Sequence, residues 1–172
     1  MSITPDSLDA IKIDLAHEDT KRRCDAVRTV AQSGRLQSGI TATVIQLVAD
    51  KNEEVCMWAC EALESRISPS PTEVVELIEL LRDAKDGEVA YWTATMIGRL
   101  GSNASGATAV LANVLLDSPC LAARERAAWA LSEIGPPAKS AMNALKQIGP
   151  EDPPRLQRLA AFAIEAVVRR AA

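Results

Sequence analysis

A single histidine, His17, is the entire imidazole complement of this 172-residue chain. That scarcity excludes metal centres built from several imidazoles, and no Ser–His–Asp set, phosphate-cradling glycine loop or metal-ligand cluster is apparent. Aromatic residues make up only 3%, namely three tryptophans, one tyrosine and one phenylalanine, so aliphatic side chains must build the core. No apolar run approaches the ~20 residues that span a bilayer. Residues 1–19 are interrupted by Asp6, Asp9, Lys12 and Asp14 and do not resemble a secretory signal. Basic residues are in deficit: 19 Lys and Arg against 23 Asp and Glu leave a net charge of −4, which argues against a stripe that neutralises phosphates. The expectation is a cytoplasmic protein with no membrane or nucleic-acid partner, no cofactor, no bound metal and no catalytic set.

Cysteine is sparse as well. Cys24, Cys56, Cys60 and Cys120 all fall in or beside expected helices, and Cys56 and Cys60 share one helix edge. With no second pair to complete a metal site, they read as buried thiols acting as small hydrophobes, and no disulfide framework is implied.

What the chain does have is repetition. Ala26-Val27-Arg28-Thr29-Val30, Ala59-Cys60-Glu61-Ala62-Leu63, Thr93-Ala94-Thr95-Met96-Ile97, Ala127-Ala128-Trp129-Ala130-Leu131 and Ala160-Ala161-Phe162-Ala163-Ile164 follow one pattern. Their first residues are spaced by 33, 34, 34 and 33. A sustained period in this range means stacked supersecondary units, none of which buries its apolar face alone. Between the copies lie apolar-periodic segments at 40–49, 72–82, 107–116 and 138–148, and in the second of them Val74, Leu77, Ile78 and Leu81 share one helical face. Ser33-Gly34, Ser68-Pro69-Ser70-Pro71, Gly101-Ser102-Asn103, Gly135-Pro136-Pro137 and Gly149-Pro150 punctuate the joints. With an opening helix over 5–16, about ten helices and no strand are expected. The linkers are short, so the reading is a single domain over 1–172, with a repeat array over 20–153 and an incomplete repeat over 154–172. One residue fits poorly: Arg66 stands where the other copies carry Ser33, Leu100, Ile134 and Val167.

The fourth copy carries the clearest signature. Ala123-Arg124-Glu125-Arg126-Ala127-Ala128-Trp129-Ala130-Leu131-Ser132-Glu133-Ile134-Gly135, with Asp117 ahead and Pro136-Pro137-Ala138 behind, resembles the short HEAT-like repeat also found in phycobilin lyase subunits. The resemblance covers residues 20–172 and is looser outside this copy. Cys56 and Ala90 replace the arginine of the pattern, which interrupts the family's Asp–Arg ladder in the middle units. The resemblance implies an all-α, right-handed α-solenoid of helical hairpins, with the alanine-rich second helices along the concave wall. It also brings in enzymatic relatives. HEAT-like glycosylases need a cationic DNA-binding face, and deoxyhypusine hydroxylases need several His-Glu pairs where this chain has only His17-Glu18.

Helical geometry then sorts the second copy. At 100° per residue from Val55, the residues Val55, Ala59, Ala62, Leu63 and Arg66 centre at about 20°, the core face. Glu54, Trp58, Glu61 and Ser65 lie at roughly −60° to −120°, the flank that the family exposes. Equivalent flanks hold Trp92 and Arg99 in the third copy, Arg126 and Trp129 in the fourth, and Phe162 in the fifth, with Tyr91 adjacent. Large rings and arginines are enriched at binding hot spots. Trp58, Trp92, Trp129, Phe162, Glu54, Glu61, Arg99 and Arg126 are therefore expected to bind a protein or peptide segment on a surface where the rings are at least partly accessible. The alternatives are rings that pack only between repeats, and an accessory subunit of a lyase-like or nucleic-acid enzyme. The C-terminal helix, about 154–170, keeps Leu159, Phe162, Ile164, Val167 and Val168 on more than one stripe, with Arg169 and Arg170 at its end, and its outer side is expected to serve self-association as a homodimer or partner docking.

Overall fold

The structure, a computed structural model, describes residues 5–34, 37–65 and 68–169. These hold ten α-helices and four short 3₁₀ segments, with no strand among the described residues. Arg66 and Arg170 lie outside the described residues.

Capping chemistry sets the starts of the second helices in the first three copies. After α1 (Pro5–Leu15), α2 (Thr20–Ser33) begins where the Asp19 carboxylate accepts the Lys21 N–H at 2.8 Å. α3 (Thr41–Gln46) runs on as a 3₁₀ turn to Ala49, and α4 (Glu53–Glu64) starts where Asn52 accepts the N–H groups of Glu54 and Val55 at 3.0 and 3.2 Å. α5 (Val74–Asp83) precedes α6 (Gly87–Arg99), which Asp86 caps in the same way. Each such side chain satisfies orphan donors of the first turn. The fourth and fifth copies break the rule. Following α7 (Thr108–Asp117), α8 (Leu121–Ile134) has Cys120 at its cap with no side-chain bond, and Gly135 ends it at φ 69°, a backbone state that favours glycine. α9 (Met142–Gln147) is shorter than expected because Pro136–Ala141 forms a 3₁₀ segment. α10 (Pro154–Val168) opens on a proline, whose fixed φ suits a first helical position.

The chain divides into two compact units, 1–69 and 70–172. The division falls at Ser68-Pro69-Ser70-Pro71. The prolines remove backbone donors there, and Ser70 and Glu73 start a new segment with a reciprocal capping box, in which the Glu73 carboxylate accepts the Ser70 N–H at 2.9 Å.

In the first unit α2 lies along α4, with α1 against α2 and α3 against α4. Leu15, Val27, Ile45, Val55, Ala59 and Leu63 are fully buried between them, so the core face read from the helical angles is the one observed. In the second unit α6, α8 and α10 pack side by side, and α5, α7 and α9 complete the hairpins. Ala94, Ala123, Ala127, Ala130 and Ala163 have no exposed surface. Small side chains at these contacts allow close helix approach, while Leu77, Ile97, Leu111, Leu131 and Leu145 supply most of the apolar volume. α6 is the most enclosed helix, buried continuously from Trp92 to Gly98. Among the described residues no helix is long and apolar enough to cross a membrane.

Candidate functional site

In the first unit the side-by-side packing of α2 and α4 brings Arg28 to Trp58 and Glu54. The guanidinium carbon lies 5.5 Å from the Trp58 ring centroid, and Nη2 donates to Glu54 Oε1 at 2.5 Å. The Trp58 indole N–H reaches the same oxygen at 3.5 Å, and Arg28 also bonds Asp25 Oδ1 at 3.2 Å and Cys24 Sγ at 3.4 Å. Arg28, the Trp58 N–H and Cys24 hold the Glu54 carboxyl below its ordinary range. The buried Cys24 thiol is pushed up by desolvation and by Glu54, which keeps it protonated. Trp58 is half-buried, whereas Glu54 and Glu61 are exposed. The one guanidinium of this cluster is taken up by two carboxylates.

The second unit carries a different arrangement. Arg126 on α8 sits over two rings, 4.7 Å from the Tyr91 centroid and 5.2 Å from that of Trp129. It donates from Nη2 to Tyr91 Oη at 2.5 Å. Tyr91 belongs to α6, so the clamp joins two consecutive repeats. Tyr91, Arg126 and Trp129, with Ala122, Glu125, Arg155 and Leu159, line a hollow of about 190 Å³. At its rim Arg155 on α10, 67% exposed, pairs with the Glu125 carboxylate, 12% exposed, at 3.2 Å. Arg99 lies nearby, and burial, then the like charge of Arg126, hold its guanidinium below the usual value. Cation–π contacts of this kind contribute about 0.5–2 kcal/mol, more as they are desolvated.

Not every expected residue is accessible. Trp129 is half-buried and Phe162 is 51% exposed, but Trp92 is 7% exposed, against the expectation that it is at least partly accessible. Trp92 meets Tyr91 edge-on, with centroids 5.2 Å apart, and α6 is enclosed around it. Its flank is therefore part of the packing. Tyr91, Arg155 and Arg28 make the contacts that complete the two clusters and were not among the expected binding residues. Their signal was present: Tyr91 adjoins the flank, and Arg28 and Arg155 lie on it.

The expected thiol burial holds for Cys24, whereas Cys56, Cys60 and Cys120 are half-buried thiols. The Asp–Arg ladder is realised in the outer copies. Arg23 forms two bonds to Asp50, at 2.7 and 3.0 Å, and Arg124 reaches Asp152 at 2.9 Å and the Leu115 carbonyl at 2.8 Å. Cys56, at the arginine's register, instead donates to the Asp50 carbonyl at 3.0 Å. At Ala90 the missing side chain contributes to a hollow of about 250 Å³ also lined by Arg82, Val110 and Asp117. No group of three or more His, Cys, Asp or Glu among the described residues is placed to hold a metal ion.

The family profile described as HEAT repeats matches residues 74–172, more than half of the chain. The chain belongs to the HEAT repeat family. No curated protein matches it. Among solved structures it is similar to a designed armadillo repeat protein in complex with the peptide (KR)4, with 20% identity and a TM-score of 0.62 over 94% of this chain and 82% of that one. An engineered protein gives 19% identity and a TM-score of 0.63, over 96% of this chain and 48% of that chain. The complex of CpcE and CpcF of phycocyanin lyase from Nostoc sp. PCC7120 gives 18% and 0.60, over 98% and 66%. At these identities the likeness establishes the fold, an all-α repeat of the HEAT and armadillo solenoid class.

Proposed function

We propose that this HEAT repeat chain is a non-catalytic scaffold module of the cytoplasm that binds a helical or extended segment of another protein on the exposed flank of its second helices. The observation that carries the proposal is the guanidinium of Arg126, held between Tyr91 and Trp129 at the edge of an open hollow. An arginine oriented by two rings beside apolar surface is the composition of an interaction hot spot. Trp129 and Phe162 supply apolar contact, and Arg99 and Arg126 supply positive charge. In the first unit Trp58, Glu54 and Glu61 offer a separate, more acidic contact. The fold supports this reading, because repeat solenoids are typical protein-binding scaffolds and the designed armadillo neighbour is in complex with a peptide. Panning a random phage-displayed peptide library on the full chain tests it. Recovered peptides should bind Arg126→Ala at least ten-fold more weakly, and failure to enrich any sequence over a folded control protein overturns the proposal.

Two alternative roles have a specific observation behind them. Likeness to the CpcE and CpcF complex favours an accessory subunit of a lyase-like enzyme; a tetrapyrrole titration in which the absorption band shifts would select it over the scaffold. Self-association through α10 is favoured by Phe162 and Val168, 51% and 64% exposed. Sedimentation equilibrium of the wild type against Val168→Glu decides that point, and a strictly monomeric wild type ends it.

A further inference from the structure

We infer that the hollow bounded by Tyr91, Arg126, Trp129 and Arg155 is a carboxylate subsite that takes an Asp or Glu side chain of the bound segment. This rests on the segment-binding reading given above. A guanidinium carries five N–H donors, and Arg126 uses Nη2 on Tyr91 Oη. Among the described residues no acidic side chain pairs with it, in contrast to Arg23, Arg28 and Arg124, each of which meets a carboxylate. Its guanidinium carbon lies over both rings and Nη2 is used on Tyr91, so the remaining N–H donors are what a ligand would meet. A guanidinium fork matches a carboxylate in a two-pronged contact.

The surroundings favour an anion. Tyr91, by accepting from Arg126, keeps its own O–H to donate. Arg155 adds a second guanidinium to the lining of the hollow. Glu125 is the acidic lining residue, and Arg155 already holds it at 3.2 Å. Ala122, Trp129 and Leu159 give apolar walls for the methylene stem of the incoming side chain. The wild-type hollow therefore combines oriented donors, net positive charge and apolar walls. The Arg28 cluster, whose guanidinium already meets Glu54 and Asp25, lacks this combination.

The test uses the full chain and four labelled, acetylated and amidated octapeptides that share one frame, Gly-Ser-Leu-X-X-Leu-Gly-Ser, with X as Glu, Gln, Lys or phosphoserine. Blocked termini remove the competing terminal carboxylate. The Glu peptide should bind at least ten-fold more tightly than the Gln and Lys peptides by fluorescence anisotropy, and Arg126→Gln should erase the difference. Arg126→Lys, which keeps the charge but not the planar fork, should lose at least three-fold and covers the case in which the Gln variant does not fold. Equal binding of the Glu, Gln and Lys peptides overturns the carboxylate subsite and leaves segment binding standing. A ten-fold preference for the phosphoserine peptide over the Glu peptide replaces carboxylate by phosphate and also overturns it. Absence of binding by all four, together with an empty library selection, overturns both proposals.

Discussion

Gly98 makes room for Trp129. A β-carbon on Gly98 would fall 2.9 Å from ring carbon Cε3 of Trp129 and closer still to Cζ3, so the indole of the fourth copy rests on bare backbone of the third. The contact holds the ring that supports Arg126, and Gly98 is buried within α6.

Replacing an exposed helical glycine by alanine stabilises a helix by about 1 kcal/mol. Gly98→Ala is expected to do the reverse, destabilising by about 1–3 kcal/mol because the indole must move. Urea unfolding measures the sign directly. Combining it with Trp129→Leu should produce less than the sum of the two losses. A stabilised Gly98→Ala variant would show that the ring yields freely.

Asp50→Asn removes the carboxylate from its two-bonded contact with Arg23, whose side chain is 16% exposed. Arg23 holds the Asp50 carboxyl below its ordinary 3.8, with the Asn52 N–H adding to the effect. A depressed folded value means the stabilisation is fully present above the unfolded pKa and is lost as pH falls through the folded one. At neutral pH the variant should lose about 2 kcal/mol, the scale of hydrogen bonds to a charged group. Below pH 3.8 the gap between the two proteins should close progressively. Thermal melts across this pH range check the prediction, and a gap independent of pH would refute it.

Ala90→Arg should fill the hollow lined by Ala90 and Asp117 and add the missing ladder contact to Asp117. The expected gain is about 1 kcal/mol, or ~2–4 °C in melting temperature, since Arg82 lines the same hollow and its like charge limits the benefit. Calorimetry reads the change. Asp117→Ala in the same background should remove most of it, and a gain that survives that second substitution would point to packing alone.

Duplex DNA should bind only weakly, in the ~10⁻⁴ to 10⁻⁶ M range of non-specific contacts at ~150 mM salt. The motive is the net charge of −4 and the pairing of Arg23, Arg28, Arg124 and Arg155 with carboxylates. A gel-shift titration showing sub-micromolar affinity would contradict it.

The fold was legible because its determinants are local and periodic. The five copies recur at spacings of 33 and 34 residues, and Val55, Ala59, Ala62 and Leu63 mark a core face that the structure buries. The candidate site was legible only in part. Trp58 and Trp92 share a register, so helical angles treat them alike, yet α6 is enclosed around Trp92 and Trp58 remains half-buried. Contacts between repeats also escape a single-helix projection, which is why Tyr91 joined Arg126 only in three dimensions.

The Arg126 clamp draws Tyr91 from one repeat and Trp129 from the next, with Arg155 contributed by a third. Arrays of this kind change length by gaining or losing whole hairpins. Such an event on either side of α8 would separate the arginine from one of its neighbours even if every hairpin still folded. The site is therefore inherited as a run of three consecutive second helices. A graft onto another scaffold would have to carry α6, α8 and α10 in unbroken order.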